Sequence, residues 1–220
     1  MARRKTKQHA VLLHGLARTN LSMGRLATKL RSRSYRVHNL NYPSTAHTIE
    51  VLADQTLHKV VGPLIEEGGP LIHFVSHSIG GIIIRYYLKH HKVPNLGRVV
   101  MLAPPNQGSE LADILRDSFY QTLSGPAVGQ LGTGPDSVPL NLGPVDFEVG
   151  VITGNRSINP LGARLFDGPS DGVVAVERAK VAGMSDFLVL PHSHTFIMLR
   201  KGVVDQVIHF LEEGRFERLV

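Results

Sequence analysis

Short apolar runs that stop at turn signals alternate along this chain with longer amphipathic stretches, and no other feature limits its fold as tightly. A strand covered on both faces reads as a continuous apolar run, so the alternation calls for a parallel sheet flanked by helices. Candidate strands lie at residues 10–13, 35–40, 71–75, 99–102, 147–153 and 187–190, and candidate helices at 22–30, 48–67, 79–91, 110–117 and 195–213. In the second helix Ile49, Leu52, Ala53, Leu57, Val60, Val61 and Leu64 recur at steps near three and four residues, which places them on one face. The expected class is α/β: a mostly parallel sheet of about six strands with helices on both faces.

At 220 residues the chain is long enough for one sizeable core, and a single domain over 1–220 is the simplest reading. A hydrophobic share of 42% and a charged share of 19% are ordinary for a globular protein. The 24 Lys and Arg against 18 Asp and Glu give +6, but part of the excess sits in a basic tail at residues 1–8. With no aromatic interleaving or recognition motif beside it, that charge reads as a solvated terminus, and no nucleic-acid partner is expected. The absence of cysteine excludes a disulfide framework, a thiolate nucleophile and a Cys-ligated metal site.

The apolar run at 10–13 is cut by His14-Gly15 and is too short for a signal peptide; no run approaches the ~18 residues of a spanning helix. A soluble protein is expected, cytoplasmic by default or a mature secreted form. Residues 121–144 are rich in Gly and Pro and lack a sustained period, so they read as a long loop. The wider excursion at 106–146 is either a minimal, loop-like lid over a pocket or a plain surface feature.

Leu71-Ile72-His73-Phe74-Val75 runs straight into Ser76-His77-Ser78-Ile79-Gly80-Gly81 and then into an apolar helix. A nucleophile at the tip of such a strand-turn-helix elbow needs small residues two before and two after it, so that strand and helix can pack closely. Ser76 and Gly80 meet that need and single out Ser78; choosing Ser76 instead would put His73-Phe74 where small residues belong. His77 is expected to point away across the elbow and to serve packing.

A serine nucleophile also needs preorganised N–H donors for the oxyanion and an imidazole base held by an acid. Ile79, first in the helix, offers one free N–H. Gly15, after the first strand, permits a turn that would aim the N–H of Leu16 into the site. The acid candidates are Asp171 and, as runner-up, Asp167; both precede Gly and could be ordinary turn residues. The base candidates are His194 and His192. His194 is favoured because it stands where the last helix begins, whereas His192 follows Pro191 in a loop. The remaining histidines lack the flanking pattern of a metal site, and no metal or cofactor is expected.

Together Leu13-His14-Gly15-Leu16, Ser76-His77-Ser78-Ile79-Gly80-Gly81, Ala103-Pro104-Pro105-Asn106-Gln107-Gly108-Ser109, Ser170-Asp171-Gly172-Val173-Val174 and Ser193-His194-Thr195 span nearly the whole chain. The sequence resembles lipases and esterases of the α/β-hydrolase superfamily, especially small bacterial lipases. The resemblance implies the α/β-hydrolase fold, a Ser78-Asp171-His194 triad and oxyanion donors at Leu16 and Ile79. Ser76, where the usual motif has Gly, is a minor departure. The implied function is hydrolysis of a carboxylic ester or lipid through an acyl-enzyme; transient contact to a lipid surface is an open alternative that no sequence feature supports. An acyltransferase, a thioesterase or an inactive binding relative could occupy the same scaffold.

Overall fold

The computed structural model describes residues 7–116, 125–158 and 165–218. Residues 1–6 of the basic tail, Asp117 at the end of the expected fourth helix, and 121–124 of the expected loop lie outside them.

The strands are β1 (His9–Leu13), β2 (Arg36–Leu40), β3 (Ile72–His77), β4 (Leu96–Leu102), β5 (Val149–Gly154) and β6 (Asp186–Leu190). They form one six-stranded sheet in the order β2-β1-β3-β4-β5-β6, with every neighbouring pair parallel. The chain leaves β1 toward β2 on one side and returns to β3 on the other. The carboxyl ends of β1 and β3 therefore border a topological switch point, where open α/β sheets form their crevices.

Side-chain alternation splits the core into two layers. Val11, Leu13, Phe74, Val99, Met101 and Val151 pack against α2 (Ile49–Leu52), α3 (His58–Glu67) and α4 (Ile79–His90). On the opposite face Ala10, Leu12, Val75, Val100, Leu102 and Ile152 pack against α1 (Gly24–Ser32) and the C-terminal helix. Helices thus cover both faces, as the continuous apolar strands require. No helix of the described residues is long and apolar enough to cross a membrane.

The expected helix at 48–67 is continuous, but a π-helical segment, Ala53–Leu57, joins α2 to α3. All the apolar residues assigned to its inner face are buried except Val60, which is half-buried. The expected loop at 121–144 is not structureless. Within its described residues stand two short helices, α6 (Pro126–Gly129) and α7 (Val138–Leu142), preceded by α5 (Glu110–Arg116). Elements of four and five residues are too short to display a helical period. After α8 (Val176–Ala179) comes the C-terminal helix, which is also shorter than expected: Arg200 has ψ 130°, separating a 3-10 turn, Ile197–Leu199, from α9 (Lys201–Glu213).

Arg85, in the middle of α4, is 3% exposed and has no carboxylate partner among the described residues. It donates instead to the carbonyls of Asn106 (3.0 Å), Pro139 (3.2 Å) and Gly143 (2.6 Å), and to Asn106 Oδ1 (3.2 Å). Burial lowers its pKa to about 10. The guanidinium thus pins the 106–146 excursion to the helix that follows Ser78. Replacing Arg85 with Met leaves those buried carbonyls unpaired and should cost at least about 2 kcal/mol in urea unfolding.

A second stability term is pH-dependent. His73 is 2% exposed; its Nδ1 accepts from the Arg98 N–H at 2.9 Å, and its Nε2–H donates to Gln8 Oε1 at 3.0 Å. Burial, and secondarily the charge of Arg98, lower its pKa to about 4. The unfolded chain takes up this proton more readily, so the neutral histidine's contribution is complete above pH ~6.5 and is lost as pH falls toward ~4, by roughly 3 kcal/mol in all. The drop in urea stability between pH 7 and 4.5 should be smaller by roughly 2 kcal/mol in His73→Gln.

Candidate active site

β3 ends at His77 and α4 begins at Ile79, so the chain must turn on the single residue Ser78. Its backbone adopts φ 54° and ψ −127°, a conformation that costs a non-glycine residue of order 1–3 kcal/mol and persists only when its surroundings enforce it. The Ser78 N–H donates to the Leu102 carbonyl at 2.8 Å, and its carbonyl accepts from the Gly81 N–H at 2.9 Å. A Cβ on Gly80 would stand 3.0 Å from both the His14 carbonyl and Leu13 Cβ, so the small residue there lets the helix approach β1. Ser76 is fully buried beneath the elbow and does not line the cavity that holds Ser78.

The Ser78 hydroxyl lies 3.0 Å from His194 Nε2, and His194 Nδ1 lies 2.8 Å from Asp171 Oδ2. The carboxylate can only accept, so Nδ1 carries the proton and Nε2 presents its lone pair to the hydroxyl. The other carboxylate oxygen of Asp171 accepts from the N–H groups of Val173 (3.0 Å) and Val174 (2.8 Å). The Asp171 backbone carbonyl also accepts from the His194 N–H at 3.0 Å, so acid and base are tied by main chain as well as side chain. The Asp171 side chain is wholly buried. Asp167 is exposed and His192 is partly exposed; neither lines the cavity.

The Leu16 and Ile79 N–H groups donate to no other described residue. Leu16 lines the cavity beside Ser78, and Ile79 opens the twelve-residue α4, whose dipole places partial positive charge there. Two residues that the sequence did not single out for this task brace the first donor. His14 Nδ1–H donates to the Gly15 carbonyl at 2.8 Å, and His14 Nε2 accepts from the Tyr42 N–H at 3.3 Å. With its carbonyl held on the His14 side, the Gly15–Leu16 peptide must turn its N–H the other way. Tyr42 Oη–H donates to the His14 carbonyl at 2.5 Å, and the two rings stack at 4.1 Å. Burial lowers the His14 pKa, which favours the neutral tautomer this pattern needs.

His77 departs from expectation: it does not point away but lines the cavity. Its Nε2–H donates to the His194 carbonyl at 3.0 Å, and its ring lies 4.8 Å from that of His194. Burial, then the proximity of His194, hold its pKa well below the usual histidine value. A Cβ on Gly15 would come within 2.5 Å of His77 Nδ1, so Gly15 makes room for this ring as well as for the turn.

The described residues enclose about 250 Å³ around Ser78. Leu111, Ala112 and Leu115 of α5, Val128 of α6, and Leu131 and Val173 supply most of its apolar lining. The arrangement can activate a hydroxyl, receive an oxyanion and hold an apolar chain beside both.

The structure is similar to a Bacillus licheniformis lipase in its mature form (TM-score 0.70, 20% identity, 88% of this chain and 87% of that one). It is also similar to phospholipase PlaB from Legionella pneumophila (0.72, 19%, 93% and 57%) and to a metagenomic carboxyl esterase (0.63, 18%, 86% and 65%). A search of curated proteins finds no match to the sequence. The sequence model of the alpha/beta hydrolase family, in contrast, matches residues 10–206, which include both sides of the elbow and the segments of His14, Asp171 and His194. The chain therefore belongs to the alpha/beta hydrolase family.

Proposed function

We propose that the protein is a serine esterase that cleaves carboxylic esters of short to medium acyl chains. The observation that carries this reading is the unbroken hydrogen-bond chain from Asp171 through His194 to Ser78, opening on an apolar cavity. The Ser78 hydroxyl attacks the ester carbonyl carbon while His194 Nε2 takes its proton. Asp171 keeps the imidazole in the productive tautomer and stabilises the imidazolium that forms. The Leu16 and Ile79 N–H groups receive the oxyanion, an interaction worth roughly 3 kcal/mol per donor. Collapse breaks the bond to the alcohol oxygen, which leaves with the proton from His194. Water then gives a proton to His194 and attacks the acyl-serine carbonyl; collapse breaks the bond to Ser78 Oγ, which takes the proton back from His194, and the carboxylic acid leaves. The lipase, phospholipase and carboxyl esterase that share the fold support ester chemistry as the class of reaction.

The apolar space of about 250 Å³ beside Ser78 suits a short or medium acyl group better than a long one. In a p-nitrophenyl ester series, kcat/KM should peak between butyrate and octanoate and fall for palmitate; a steady rise to palmitate would contradict an acyl site of this size. Ser78→Ala should lower kcat by at least roughly 10³-fold with an unchanged melting temperature. Substantial residual turnover would remove Ser78 from the mechanism.

The choice of acid is tested separately. Asp171→Asn keeps the shape but allows the amide to donate toward His194 and favour the wrong tautomer; a loss of at least roughly a hundredfold in kcat is expected. Asp167→Asn should change kcat by less than about twofold, since an exposed carboxylate away from the cavity has nothing to orient. A larger loss at Asp167 than at Asp171 would exchange their roles.

A further inference from the structure

We propose that Arg18 recognises an anionic group on the substrate, so that the Ser78 cavity selects esters carrying a carboxylate or phosphate on the portion that projects toward solvent. The inference rests on the esterase reading above and names the kind of alcohol portion that site takes. Among the described residues lining the cavity, Arg18 is the one with a permanent charge, and no carboxylate lines it. Asp171 is fully buried behind His194 and cannot neutralise the guanidinium from within the cavity. Arg18 is itself exposed, and its charge lies near enough to the buried His77 to add to the lowering of that imidazole's pKa.

Four other arginines among the described residues meet a carboxylate. Arg33 meets Glu212, Arg98 meets Glu148, Arg178 meets Glu110 and Arg218 meets Asp186. The guanidinium of Arg18 has no ion pair or side-chain hydrogen bond among the described residues. Its main chain, in contrast, is fixed. Ala17 takes φ 50° and donates its N–H to the buried Ser44 Oγ at 3.0 Å, while the Arg18 N–H donates to the Gly15 carbonyl at 3.3 Å. The same turn carries the N–H of Leu16, so the distance from the oxyanion position to the base of the Arg18 side chain is set by the fold.

An ester whose acyl chain fills the apolar cavity must send its alcohol portion out through the mouth, past this guanidinium. A neutral alcohol portion would strip water from the charge and return nothing. A carboxylate or phosphate would pair with it, and the planar fork suits either group bidentately. Selection thus combines an attraction for anions with a penalty on neutral groups.

The test compares matched aryl butyrates: 3-(butyryloxy)benzoate, its neutral carboxamide, and 3-(butyryloxy)phenyl phosphate. At low salt the wild type should show kcat/KM about tenfold higher for an anionic ester than for the carboxamide, and the larger of the two ratios names the preferred anion. High salt should shrink the ratio. Arg18→Gln should bring it to about one and Arg18→Lys should keep part of it. Arg33→Gln removes the same charge from a residue outside the cavity and should leave the ratio as in the wild type. A wild-type ratio near one, or a ratio that survives Arg18→Gln, would overturn the proposal while leaving the esterase reading intact. Turnover of none of the three esters would overturn both.

Discussion

The hydrogen bond from the Ser78 N–H to the Leu102 carbonyl, together with the strained φ of 54° that it helps enforce, is the constraint on which the arrangement depends. A residue in that conformation reverses the chain within one step, so the hydroxyl stands clear of both strand and helix. The reversal works only because β4 lies beside β3 to accept the bond, and because Gly80 lets α4 lean on the end of β1. The order of strands at the switch point and the presentation of the Ser78 side chain to the cavity are thus a single structural fact.

The histidines of the site share a second constraint. His14 and His77 are buried without a carboxylate, and burial keeps both below the usual histidine pKa. Each therefore works as a neutral strut: His14 fixes the Gly15 carbonyl, and His77 holds the His194 carbonyl. His194 differs by having Asp171 on its Nδ1. Imidazoles within one region are thereby divided between positioning and proton transfer by the hydrogen-bond partner of a single ring nitrogen.

Much of this was legible in the sequence because the sheet is buried on both faces. Apolar runs place β1 and β5 close to where the strands begin and end, whereas β4 starts at Leu96, ahead of the apolar run at 99–102. The elbow was legible because close packing forces small residues at fixed offsets; placement at turns narrowed acid and base to Asp171 or Asp167 and His194 or His192, and the family resemblance strengthened the choice of Asp171 and His194. What escaped depends on tertiary geometry. The orientation of His77 follows from the φ of its neighbour, which spacing does not encode. Tyr42 braces His14 across 28 residues, with no local pattern to announce it. Nothing in the local sequence marks Arg85 as buried, and its partners are carbonyls of the distant 106–146 excursion.

The central claim is that Ser78 is a nucleophile activated by His194. It is tested most directly by treating the protein with a fluorophosphonate and locating the adduct by intact and peptide mass spectrometry. The account predicts one adduct per chain, on Ser78, formed far more slowly in His194→Ala. An adduct on Ser76 or elsewhere, no adduct at all, or labelling of Ser78 at an undiminished rate without His194 would contradict it.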